Sequence, residues 1–201
     1  MPLIENSALI LLLWAGVGYG LGSVPYGMVL ARLMGLGNLR EIGSGNIGAT
    51  NVLRTGNKFA ALATVILDGG KGAVAVLLAR AFAGEDAAQL AGLMAILGHC
   101  FPIWLRFRGG KGVATYLGLM LALAWPVGVF ACLTWLVVAV LTRLSSFAAI
   151  SAAAFATVWV MIAGPPQLFV LAALLTMLIY WRHLENIKRL RAGTEPKIGA
   201  K

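Results

Sequence analysis

Negative charge is scarce in this chain. Its 201 residues include 7 Asp and Glu against 16 Lys and Arg, and charged residues make up only 11%. A soluble domain carries about 25%, so a fold with a continuous water-facing surface is excluded. Histidine is scarcer still, with His99 and His183 alone, and cysteine is limited to Cys100 and Cys132. No spacing of His, Cys, Asp or Glu matches a metal site. The two thiols sit in or beside apolar runs, where they read as small buried hydrophobes rather than a disulfide. Neither a metal nor a cofactor is expected. Long polar linkers are also missing, so residues 1–201 read as a single domain. The first apolar run has no basic segment before it, only Glu5, and is long enough to span a bilayer. It is expected to be kept as the first helix rather than removed as a leader.

What fills the chain instead is apolar residues, at 60%. The class this implies is an all-α polytopic membrane protein. Seven transmembrane helices are expected, at about Ala8–Leu33, Phe59–Arg80, Ala87–Leu105, Gly112–Trp125, Pro126–Leu141, Ser146–Ala163 and Gln167–Trp181. Several fall short of the roughly 20 residues of a full span. Short or re-entrant helices around a polar cavity fit that shortfall.

The net charge of +9 lies between apolar stretches rather than on a soluble face. Anionic headgroups or anionic substrates therefore suit it, and nucleic acid does not. All the basic residues except Lys71 and Arg80 fall on one side of the expected spans, Lys201 included; Glu5, Glu85 and Asp86 fall on the other. The excess of Lys and Arg puts the basic side in the cytoplasm, with the N-terminus outside and the C-terminus in the cytoplasm.

Three polar segments stand out, all on the basic side. The first, Gly43 to Arg54, combines flexible glycines with the neutral hydrogen-bonding side chains of Ser44, Asn46, Thr50 and Asn51 and the fixed fork of Arg54. The second runs from Gly98-His99 to Thr115 and contains Arg106-Phe107-Arg108-Gly109-Gly110-Lys111-Gly112. Glycine-rich backbone can aim N–H groups at one point, and a helix opening at Gly112 favours an anion at its start. Gly112 follows Lys111 where a nucleotide P-loop has Ser or Thr, so phosphate binding is expected without mononucleotide binding. A topology anchor alone would explain Arg106 and Arg108, though not the glycines around Lys111. In the third segment, Tyr180 to Asn186, His183 and Asn186 share a helix face at i,i+3. Asp68 and Lys71, also at i,i+3 but inside an apolar helix, are expected to pair and to support the site, with His99 a further candidate. Ser145 and Ser146, at the opening of the sixth helix, can donate to the same site. Gly69-Gly70-Lys71-Gly72 repeats Gly109-Gly110-Lys111-Gly112, but four residues are too few to argue a duplication.

Taken together, SGNIGATNVLR (Ser44–Arg54), LDGGKG (Leu67–Gly72), GHCFPIWLRFRGGKGVAT (Gly98–Thr115) and RHLENI (Arg182–Ile187) resemble the bacterial integral-membrane acyl-phosphate:glycerol-3-phosphate acyltransferases. The resemblance implies a seven-helix protein of the inner membrane with a cytoplasmic site. It implies transfer of a fatty acyl group from acyl phosphate to the 1-hydroxyl of glycerol 3-phosphate, giving lysophosphatidic acid and phosphate at the start of phospholipid synthesis. A soluble phosphate acyltransferase would supply the donor, and the acyl tail would lie against membrane lipid. The family's motifs assign the acceptor phosphate to Arg54 and Lys111, with His183 and Asn186 near its glycerol. They assign the donor phosphate to Ser44, Asn46, Thr50, Ser146 and the amides of Gly109, Gly110 and Gly112, with Asn51 beside them. The His-x4-Asp motif of other acyltransferases is absent. A membrane transporter for a phosphorylated solute is the competing reading, which the intramembrane Asp68 and Lys71 would suit.

Overall fold

A computed structural model describes residues 1–199; Lys201, counted above on the basic side, lies outside them. Every regular element among the described residues is helical. In chain order the α-helices are α1 (Ala8–Gly22), α2 (Tyr26–Leu33), α3 (Ala49–Leu53), α4 (Lys58–Ala83), α5 (Glu85–Cys100), α6 (Val113–Leu123), α7 (Trp125–Thr142), α8 (Ser145–Ala163), α9 (Phe169–Arg182) and α10 (Leu184–Arg191), with short 3-10 turns at Ile103–Leu105 and Pro166–Leu168. Among the described residues, five stretches are long and apolar enough to cross a bilayer: α1 with α2, α4, α5 with the turn after it, α7, and α8. A sixth is reached if α9 and α10, bent by 63°, count as one broken span. α6 is apolar but has only 11 residues, about 17 Å at 1.5 Å per residue, against a hydrocarbon core of about 30 Å.

The first expected helix is divided rather than continuous. Pro25 has no N–H to continue the ladder, and the chain breaks at Ser23–Pro25 before α2 begins. In an apolar setting the freed carbonyls need partners. Ser23 receives the Trp104 indole N–H at 2.8 Å, and Val24 receives the Lys71 ammonium at 2.7 Å.

Small residues bring the helices together backbone to backbone, as expected where lipid offers no hydrophobic drive. A Cβ at Gly18 or Gly22 of α1 would overlap the backbone of Ala91 or Ala95 in α5. The same holds between Gly118 of α6 and Gly69 of α4, while Gly72 of α4 lies close on Thr115. The two copies of Gly-Gly-Lys-Gly thus do different work: the first packs one helix on another, and the second forms a loop.

The two ends of the bundle differ in charge. At one, the Asp86 carboxylate accepts the backbone N–H groups of Glu5 and Asn6 at 3.0 Å, and Arg80 pairs with Glu85 at 2.9 Å. The other end gathers all three polar segments.

Candidate active site

Asn51, fully buried, organises the first segment. Its amide donates to the carbonyls of Leu39 (2.9 Å) and Asn46 (2.7 Å), and its Oδ1 accepts from the Ser44 N–H and Arg54 Nη1, both at 3.2 Å. Those bonds occupy the side chain, so Asn51 holds the loop and leaves Ser44, Asn46 and Arg54 facing the cleft. Gly43, at φ +53°, leaves the space that Arg54 and Asn51 fill. Thr50 Oγ1 meets Ser145 Oγ at 2.9 Å, tying the loop to the start of α8.

The second segment corrects the expectation for Gly109 and Gly110. Their N–H groups donate to the carbonyls of Cys100 (3.0 Å) and His99 (3.1 Å), so neither is offered to a ligand. Their carbonyls are gripped from the other side by Arg182, whose Nε reaches Gly110 at 3.1 Å and whose Nη2 reaches Gly110 at 2.9 Å and Gly109 at 3.3 Å. The same guanidinium lies 5.1 Å from the Phe101 ring centroid. Gly112, at φ +82°, then turns the chain into α6. The N–H groups of Lys111, Gly112, Val113 and Ala114 have no partner among the described residues. Donors of this kind at a helix start suit an anion, and they follow the glycine pair instead of belonging to it. Arg106 and Arg108 are exposed and lie outside the cleft.

From the third segment, His183 donates its Nδ1 proton to the Ile179 carbonyl at 2.7 Å, which leaves Nε2 as a lone-pair acceptor. Asn186 Oδ1 accepts from Lys111 Nζ, joining the second and third segments. Asn186 Nδ2 donates to Glu195 Oε1 at 2.6 Å, and Arg189 Nε donates to Glu195 Oε2 at 2.7 Å. Burial pushes Lys111 down to about 8; the charge of Glu195 opposes this, while Arg189, Arg182 and Arg54 add to it. Burial, followed by the Lys111 charge, pushes His183 down to about 4, so its ring is neutral near pH 7.

These groups wall a cleft of about 220 Å³. Of the expected site residues, Ser44, Asn46, Thr50, Asn51, Arg54, Lys111, Gly112, Ser146, His183 and Asn186 line it, as do Asp68 and His99; Lys71, Gly109 and Gly110 stand behind the wall. Ser146 Oγ is buried beside the Glu195 carboxylate and makes no hydrogen bond of good geometry among the described residues. Ser145 lines the cleft beside Ser146, and Arg189 and Glu195, which were not among the expected site residues, line it too. Val65, Leu117, Trp135 and Ala149 supply an apolar stretch of wall. Three cations, Arg54, Lys111 and Arg189, face two carboxylates. Since Asp68 is already paired with Lys71 at 2.6 Å, the free balance favours an anion. A larger cavity of about 640 Å³ lies between α2 and the loop after it, but among the described residues Arg32 alone brings charge to its wall. The smaller space is the one that gathers the polar and charged groups of all three segments.

A family model described as "Glycerol-3-phosphate acyltransferase" matches residues 12–193. A glycerol-3-phosphate acyltransferase from Ruegeria sp. (strain TM1040) is 71% identical over 201 residues, covering all of both chains. One from Ruegeria pomeroyi is 64% identical over all of this chain and 99% of its own. Among solved structures, the glycerol 3-phosphate form of PlsY (YgiH), an integral membrane glycerol 3-phosphate acyltransferase, superposes with a TM-score of 0.89 at 38% identity, covering 94% of this chain and 96% of its own. Its lysophosphatidic acid form gives 0.85 at 36%, covering 94% and 95%.

Proposed function

The chain belongs to the glycerol-3-phosphate acyltransferase family, and from that premise we propose that its cleft joins a fatty acyl group, carried as acyl phosphate, to the 1-hydroxyl of glycerol 3-phosphate. The protein is an integral-membrane enzyme that acylates glycerol 3-phosphate to lysophosphatidic acid. The donor, the residue roles and the orientation are our reading.

The observation that carries it is the meeting of Lys111 with Asn186, beside His183 and the unpaired amides at the start of α6. Both substrates bring phosphate, and this arrangement supplies charge and directed donors for it. Lys111 and Arg54 hold the acceptor phosphate, while His183 and Asn186 face the glycerol hydroxyls. Ser44, Asn46, Thr50, Ser146 and the Gly112 amide hold the donor phosphate. The 1-hydroxyl oxygen attacks the acyl carbonyl, the carbon–oxygen bond to phosphate breaks, and inorganic phosphate leaves. An acyl phosphate is a mixed anhydride with a good leaving group, so positioning and charge stabilisation suffice. The hydroxyl proton passes to a phosphate oxygen of the donor. His183 Nε2, a weak base with its pKa at about 4, orients the hydroxyl.

The acyl tail runs along Val65, Leu117, Trp135 and Ala149 towards lipid. Counting α6 and α9 as spans gives seven, with the N-terminus outside and the polar end in the cytoplasm, as the charge bias favours. The membrane is then the bacterial inner membrane, reached by donor made by a soluble phosphate acyltransferase. A transporter needs a midplane site served from both sides, whereas the polar groups here collect at one end.

Purified protein given acyl phosphate and glycerol 3-phosphate should release inorganic phosphate without added metal or ATP. Release that is absent, or that ignores glycerol 3-phosphate, would refute the donor assignment.

A further inference from the structure

Lys71 sits inside α4, 5% exposed, and does not reach the cleft. A buried charge in an apolar helix is costly to keep, and the reaction described above leaves Lys71 without a task. All three protons of its ammonium group have acceptors: the Val24 carbonyl at 2.7 Å, Asp68 Oδ1 at 2.6 Å and His99 Nδ1 at 2.8 Å. An ammonium has three donors and no more, so Lys71 is saturated and cannot serve a substrate. Its bond to Nδ1 does fix the neighbouring ring, because a His99 nitrogen that accepts from Lys71 puts the ring proton on Nε2.

The Nε2 edge of that ring lies against Gly110, close enough that a Cβ there would overlap it. The His99 carbonyl also accepts the Gly110 N–H at 3.1 Å. His99 thus touches Gly110 through ring and backbone, while Arg182 holds the Gly110 carbonyl from the opposite side. The next residue in the chain is Lys111.

We propose that Lys71, acting through the His99 ring, is a positioning residue for the glycine loop. The ammonium fixes the rotation and tautomer of the ring, the ring seats Gly110, and Gly110 sets where Lys111 stands in the cleft. Asp68 Oδ1, at 2.6 Å, holds the ammonium in place from the other side. The inference rests on Lys111 binding the phosphate of glycerol 3-phosphate.

A double replacement, Asp68→Leu with Lys71→Met, separates positioning from stabilisation. Removing both members of a buried ion pair in favour of apolar groups is often neutral for folding. The purified variant should keep its thermal midpoint near wild type, while its KM for glycerol 3-phosphate rises about 10- to 100-fold, the scale of a misplaced binding group. Its KM for acyl phosphate should move much less. A purely structural pair predicts normal KM values once stability is retained, and that result would overturn the proposal. The route through the ring is tested by a double-mutant cycle, which also decides if the first variant fails to insert. In a His99→Gln background, Lys71→Met should add little to the loss, whereas independent effects would multiply and refute the route. Lys111→Ala serves as the control for the underlying assignment. If it leaves the KM for glycerol 3-phosphate unchanged, the role given to Lys111 is wrong and the proposal falls with it. If it raises that KM while the Asp68/Lys71 variant does not, only the proposal fails.

Discussion

Raising the pH should switch off substrate capture through Lys111 alone. Its pKa is pushed down to about 8, by burial first and then by Arg189, Arg182 and Arg54, with Glu195 the one opposing charge. Below that value the amine is a cation and can hold phosphate; above it the amine is neutral. The cationic fraction is about 0.9 at pH 7 and about 0.1 at pH 9, so kcat/KM for glycerol 3-phosphate, which reports the free enzyme, should fall about tenfold over that interval. The neutral form gives little residual binding. A unit charge about 4 Å from a phosphate near a protein surface is worth about 4 kcal/mol, or about a thousandfold, so the fall continues with a slope near −1. Neither partner masks it: the second ionisation of a phosphate monoester lies near pH 6, and His183, at about 4, stays neutral throughout. The assay is initial phosphate release at subsaturating glycerol 3-phosphate from about pH 6.5 to 9.5, corrected for spontaneous donor hydrolysis. Lys111→Arg keeps its charge across the range, so its profile should lack the inflection even if its rate is lower. A flat wild-type profile, or the same inflection in the arginine variant, would refute the reasoning.

Gly110→Ala should raise the KM for glycerol 3-phosphate by at least about tenfold in the same assay, because its methyl overlaps the His99 ring and a small displacement of a binding group is expensive. Arg182→Gln should act in the same direction by releasing the Gly109 and Gly110 carbonyls; unchanged kinetics would show that the backbone pairing with His99 and Cys100 is enough. Asn51→Leu removes four hydrogen bonds at about 1 kcal/mol each, so both KM values should rise, and protease cleavage between Gly43 and Arg54 should become faster. Treatment with a metal chelator should leave turnover unchanged in the phosphate-release assay.

Much of the site was legible because the three polar segments all fall at the same end of apolar helices, and loops at one end of a bundle have little choice but to meet. That places Lys111, His183, Asn186 and Arg54 together without knowledge of any distance. The pairing of Asp68 with Lys71 followed from i,i+3 spacing and the cost of lone buried charge. The fate of the Gly109 and Gly110 amides was not legible. It depends on the segment after Pro102 folding back so that His99 and Cys100 present their carbonyls, a tertiary event that glycine content does not encode. Glu195 was missed for a related reason, although a signal existed. Gly193, just past α10, adopts φ +68°, the usual left-handed ending of a helix, and the Thr194 N–H returns to the Arg189 carbonyl. A glycine followed by a lone acid in a basic tail marks where the chain can turn back towards its cations. The break at Pro25 was readable from proline chemistry, but the apolar run through it suggested one helix.

The glycine contacts between helices also have a mechanical meaning. Between α1 and α5, and between α4 and α6, there is no cushion of side chains at Gly18, Gly22, Gly69 and Gly118. Helices that touch through backbone cannot slide without colliding, so these four behave as one rigid block. α7 and α8 form a second block, held by the stack of Phe130 on Trp159 at 4.9 Å. The two blocks join closely at one end, where Gly128 lies on the Leu121 backbone. The apolar wall of the cleft, Val65 and Leu117 on one block and Trp135 and Ala149 on the other, runs along the seam between them. That wall therefore takes its width from the spacing of the two blocks, and the spacing is set at the end where Gly128 meets the Leu121 backbone.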